Sequence, residues 1–167
     1  MHTCFRDSGR NILAGVAGLL LLVLFFSCTP QETCDGDTQS VLVARFGTGE
    51  TGSPADTTVG GVTVYGIREG KSDSLLVDSA SVSRLQLPLD PGHGESRFVL
   101  RAGQQSDTLV IRHGNTAYLI SYACGFGMLF TLQEIGHTMH LIRAVEVINE
   151  QVDAELLKDE AHIRIFF

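Results

Sequence analysis

A cysteine directly behind a small residue, at the end of an uncharged apolar run, has the chemistry of lipid attachment. Cys28 stands there, after Ser27 and the run from Ile12 to Phe26, with Arg6 and Arg10 upstream. The run falls short of the roughly 20 apolar residues a membrane-spanning helix needs. Its order of basic, apolar and small residues is that of a secretory signal. The expected product is a thioether diacylglycerol on Cys28, with a further acyl chain such as palmitate on the new amino terminus. Two or more acyl chains anchor stably where one does not. The alternative is an uncleaved anchor helix, with Cys28 an ordinary thiol.

The pattern resembles a bacterial lipobox, with one departure. The position three before the cysteine is ordinarily Leu; here it is Phe25, with Leu24 one further back. On this reading residues 1–27 are a signal peptide, 28–39 a lipidated tether and 40–167 a single β-rich domain. Thr29-Pro30-Gln31-Glu32 is only weakly acidic, so a signal for export to the cell surface is not supported. The expected address is the cell envelope, lipid-anchored and facing the periplasm.

Cys34 and Cys124 remain once Cys4 leaves with the signal and Cys28 takes its lipid. In an oxidising compartment two such cysteines most simply pair; the alternative is two buried thiols. Two soft ligands are too few for a structural zinc site, and no cofactor is implied.

Other candidate chemistry is weak. His137 and His140 point to opposite faces if they lie on a strand. His93 falls in a turn, and His113 and His162 at strand ends, where exposure is the default. Asp35-Gly36-Asp37 lacks the later oxygen ligands and closing Glu of a calcium loop. No nucleophile elbow, phosphate-binding loop or His-Glu-x-x-His stands in the chain. Tyr65, Tyr118 and Tyr122 are the rings available to a sugar platform, and the shared parity of Tyr118 and Tyr122 with Ile120 points to core packing. The formal charge is −7 overall, and removing residues 1–27 leaves 10 basic and 18 acidic residues, or −8. That balance argues against nucleic acid and against electrostatic docking on anionic lipid.

The elements that must hold these residues read as strands. Ser40–Phe46 and Val62–Ile67 are rich in β-branched residues, and Gly47–Gly61 between them is a loop. Ser74–Asp78 and Val82–Leu87 are short strands around a Ser-Ala-Ser turn, and Pro88–Gly94 is a turn cluster. Arg97–Ala102 and Asp107–Arg112 form the clearest hairpin, with period-2 alternation. Ala117–Cys124 is apolar on both faces, which predicts a strand buried between layers, and Gly125 and Gly127 predict a bulge or bend. Met128–Leu132 and His137–Ile148 are β-prone, Asn149–Glu160 holds a possible helical turn, and Ala161–Phe167 closes on a strand inside a sheet. The sum is an all-β, antiparallel two-sheet sandwich of about nine or ten short strands, with a closed barrel as the alternative.

In order, these residues resemble a family. Phe26-Ser27-Cys28 is followed by Glu32-Thr33-Cys34, Arg45-Phe46, Val64–Ile67, Ser74-Leu75, Ile120–Phe126 and the closing Ile163–Phe167. The assembly is similar to the small Bacteroidetes lipoproteins gathered as domain of unknown function six-four-five-two. The resemblance implies a bacterial envelope lipoprotein with one β-rich domain, and directs attention to Cys34 and Cys124 as a pair. It brings no catalytic residues. The expected role is a non-catalytic structural or interaction module held by its lipid against the membrane, with an envelope protein as possible partner. The alternative is a sandwich that binds glycan or peptide.

Overall fold

Alternation of apolar and polar residues every second position builds strands that each have one face to bury. The computed structural model describes residues 34, 39–48, 55–68, 70, 73–154 and 160–167. The expected signal segment, Cys28, the Asp35-Gly36-Asp37 stretch and residues 155–159 of the expected helical turn lie outside the described residues. Eleven strands are described: β1 Val41–Thr48, β2 Ala55–Asp56, β3 Val59–Ile67, β4 Ser74–Val82, β5 Arg84–Pro88, β6 Glu95–Ala102, β7 Gln105–Ser121, β8 Gly125–His137, β9 Ala144–Val147, β10 Gln151–Val152 and β11 Ile163–Phe166. Among the described residues no helix is long and apolar enough to cross a membrane.

The strands form two sheets. In the first, β1 is flanked on one edge by β5 and β2 and on the other by β11, which is followed by β9. The second runs β10-β8-β7-β6-β3-β4 and is antiparallel throughout. The inner faces share one core: Leu42, Phe46, Leu85, Leu87, Ile163 and Ile165 from the first sheet pack with Val64, Leu100, Leu109, Ile111 and Phe130 from the second. The architecture is therefore a two-sheet sandwich, and among the described residues no barrel closes.

One pairing departs from the antiparallel expectation. The last strand, β11, lies parallel to β1, with Ala44 opposite Ile163 and Gly47 opposite Phe166. Its residues Ile163, Ile165 and Phe166 are buried, so the chain does end inside a sheet. Gly47 permits the fit: a Cβ there would lie 2.6 Å from Arg164 Cδ. The Phe167 ring stacks on Phe46 at 5.1 Å between centroids.

Boundaries also move. The Ser-Ala-Ser segment does not divide two strands; β4 runs through it, with Ser79 at φ 43°, and the break comes at Ser83, where the chain passes from one sheet to the other. Residues 138–143 form a connection rather than the start of a long strand. The largest correction concerns β7. Its far half and the start of β8 form an extended hairpin end, not a strand between layers: Leu119, Tyr122 and Phe126 are exposed. Both faces are apolar there because the hairpin outruns the core, a pattern that periodicity alone reads as burial.

Candidate functional site

Turn residues after Ser121 bring Cys124 to the tip of the β7–β8 hairpin, where its Sγ bonds that of Cys34 at 2.00 Å, across 90 positions of sequence. The Cys124 N–H donates to Ser121 Oγ at 2.9 Å, and Gly125 takes φ 74°, a conformation that favours glycine. A second tie follows at Ser40, whose Oγ donates to the Met128 carbonyl. The start of the domain is thus fastened to this hairpin at two points before β1 begins.

The hairpin end itself is uncharged. From Gly114 through Gln133 the sequence holds no Asp, Glu, Lys, Arg or His. Leu119 pairs with Phe126 and Tyr118 with Gly127. Gly127 leaves room for its neighbours, since a Cβ there would lie 2.9 Å from Ile120 Cδ1 and 3.1 Å from Tyr118 Cζ. Leu119 is 49% exposed, Phe126 72% and Tyr122 98%. The expected core role of Tyr122 is therefore corrected, while Tyr65 and Tyr118 are half-buried. Tyr65 lies in β3 and Tyr122 in the hairpin turn, so the three rings do not share one element as a platform.

A cleft of about 340 Å³ opens elsewhere, between the 88–98 segment and the β3–β4 end, with Arg68, Asp90, His93, Glu95 and Arg97 on its walls. One of its lining residues, Ser96, belongs to a polar relay. Ser96 Oγ lies 2.9 Å from His113 Nε2, and His113 Nδ1 lies 2.6 Å from Asn115 Oδ1. Asn115 Nδ2 donates to the carbonyls of Pro91 at 3.0 Å and His93 at 2.6 Å, and the Asp90 N–H donates to Ser96 Oγ at 2.8 Å. Hydroxyl, imidazole and side-chain carbonyl stand in the order of an activated nucleophile, its base and an orienting group. Here Ser96 and His113 are buried and the Phe130 ring packs edge-on to the imidazole at 5.2 Å. The relay ties the 89–94 turn to β7.

The cleft carboxylates are held as anions. The Gly92 N–H keeps the Asp90 carboxyl below the usual carboxylate range, against partial burial that would raise it. Arg97 and Arg112 do the same for Glu95. Charge-assisted hydrogen bonds of this kind favour static ion pairs over a carboxyl poised to give up a proton.

Asp107 is the polar centre that pattern reading missed. Its side chain is wholly buried. It accepts hydrogen bonds from Thr138 Oγ1, from the N–H groups of His140 at 3.0 Å, Leu141 at 2.6 Å and Ile142 at 2.7 Å, and lies 2.9 Å from His140 Nδ1. Burial alone would raise its pKa, but Thr138 and the three backbone donors outweigh that and hold it far below the usual range. The signal in the sequence was its parity with Leu109 and Ile111, which places a carboxylate on the core face.

The histidines separate accordingly. His137 Nδ1 lies 2.9 Å from the Thr138 carbonyl while His140 turns to Asp107. His113 and His162 are buried, contrary to the expectation of exposure. The Val43 N–H donates to His162 Nδ1 at 2.9 Å, and burial lowers the His162 pKa. Among the described residues no three His, Cys, Asp or Glu side chains converge as metal ligands.

The resemblance read from the sequence now has its test: the family of unknown function DUF6452 matches residues 61–167. The chain belongs to this family. The DUF6452 region holds most of β3 and all of β4 to β11, with the cleft, Asp107 and the hairpin end that carries Cys124, while Cys34, β1 and β2 precede it. No curated protein and no solved structure matches the chain significantly.

Proposed function

We propose that this protein is a lipid-anchored module of the bacterial envelope, with a structural or interaction role and no catalysis of its own. The observation that carries the reading is the Cys34–Cys124 disulfide. Five residues separate Cys34 from Cys28, the position of lipid attachment. At about 3.3–3.6 Å per residue, that segment spans at most about 20 Å. A lipid on Cys28 then holds the domain by a short leash fastened to the disulfide, which suits membrane-proximal partners better than capture at a distance. The test is fractionation of cells making the Cys28→Ser variant. We expect the wild-type protein in the membrane fraction and most of the variant released from it. Equal retention of both would point to an uncleaved anchor helix instead.

The cleft at Asp90, His93 and Arg68 favours a second reading, a binding module for a small polar ligand such as a glycan or peptide fragment. Titration with oligosaccharides and short peptides, followed by backbone NMR, should then shift resonances of 66–68 and 90–97 selectively. Uniformly unchanged spectra at millimolar ligand would remove this reading.

A further inference from the structure

The exposed end of the β7–β8 hairpin calls for an occupant. Leu119 and Phe126 are a directly paired, exposed couple, and Tyr122 projects from the turn almost fully into solvent. They lie inside the longest uncharged stretch after the signal, Gly114–Gln133, in a protein whose formal charge is −7. Apolar side chains gathered at one end of a soluble fold mark an interaction surface. Three observations select the kind of surface that meets them.

The first is position. Cys124 is in the same turn as Tyr122 and is bonded to Cys34, so the leash from Cys28 ends at this tip and not elsewhere on the domain. The second is composition. Tyr and Phe with small Gly and Ala neighbours suit the headgroup level of a bilayer, where amphipathic rings are enriched. The third is charge. An acidic domain gains nothing by laying its flanks on anionic lipid, whereas an uncharged end meets no such repulsion.

We propose that the Leu119–Tyr122–Phe126 end of the hairpin enters the interfacial layer of the same bilayer that holds the lipid on Cys28. The inference rests on the anchor reading above and deepens it by naming the contacting surface. The lipid and the tip then act as two linked contacts on one membrane, each raising the effective concentration of the other. The domain stands on its hairpin, and the Gly103-Gln104 turn, at the opposite end of the 17-residue β7, points away from the bilayer at a distance of about 50 Å.

The chain has no tryptophan, so single-indole reporters can be placed at will. Protein processed by cells, purified from their membranes and checked by mass at Cys28, would be reconstituted in phosphatidylethanolamine–phosphatidylglycerol vesicles containing lipids brominated high on the acyl chain. Tyr122→Trp should lose about half its emission relative to unbrominated vesicles and shift to shorter wavelength, and Gln104→Trp should do neither. Adding Leu119→Ser and Phe126→Ser to the Tyr122→Trp protein should abolish most of the quenching while the lipid keeps it on the vesicle. A lipidated Tyr122→Trp protein whose indole stays unquenched overturns the tip inference and leaves the anchor intact. Shielding of that indole without quenching, in a dimer or with a bound protein, overturns it in favour of a protein occupant. An unmodified Cys28 overturns both readings.

Discussion

Asp107 shows how one side chain can organise a connection. A carboxylate on the core face is costly unless its charge is hydrogen-bonded. Thr138 and three successive backbone N–H groups do this, and in return residues 138–142 are held as a turn around the oxygen atoms. Asp107→Asn replaces an acceptor with a donor that faces other donors. It should cost about 3 kcal/mol in urea unfolding at neutral pH. The pH dependence has a definite sign. The folded pKa is depressed, so the stabilisation is fully present above the unfolded value near 4 and is lost as pH falls below it towards the folded value. The gap in stability between wild type and Asp107→Asn should therefore narrow from about pH 5 to about pH 2.5. A gap that stays constant or widens would contradict the role given to the carboxylate. The Ser96–His113–Asn115 relay is the same device further along β7, tying a turn to a strand through buried polar groups.

At the level of elements, the hairpin between β7 and β8 carries most of what is distinctive. Its near half belongs to the sandwich, through Leu109, Ile111, Phe130 and Leu132; its far half outruns the opposing sheet. The disulfide braces that far half against Cys34, ahead of β1. Cys124→Ser paired with Cys34→Ser should lower stability by about 2–4 kcal/mol, measured by thermal or urea unfolding, with the core pairing of β3, β6 and β7 retained. An unchanged unfolding midpoint would mean that the hairpin end is already held by its own strand pairing. Strands such as β5 and β6 were legible in the sequence because their alternation coincides with one buried face, and β1 because an apolar, β-branched run suits a strand buried on both faces. The far half of β7 was misplaced because an apolar run is equally consistent with burial between layers and with an exposed tip. The buried polar residues Asp107, His113 and His162 were hidden for a related reason. Each has a partner far along the chain, 35, 17 and 119 positions away, beyond any local pattern. The parallel pairing of β1 and β11 is likewise a long-range choice.

The whole molecule combines an acidic two-sheet sandwich, an uncharged hairpin end and a cysteine pair whose first member follows closely on Cys28, the proposed position of lipid attachment. Taken singly, each has an ordinary explanation: solubility for the charge, chain topology for the hairpin, compartment for the disulfide. Together they underlie the proposal that the domain has a membrane-facing end and a solvent-facing end, with the cleft at Asp90 and the turn at Gly103 on parts remote in sequence from Cys28. The central claim is that the chain is processed at Ser27-Cys28 and acylated on Cys28. The most direct measurement is the intact mass of protein extracted from cell membranes, with sequencing of its amino-terminal peptide. The expected chain begins at Cys28 and carries diacylglycerol on its Sγ, with Cys34 linked to Cys124. A chain still bearing residues 1–27, with an unmodified Cys28 thiol, would contradict the claim.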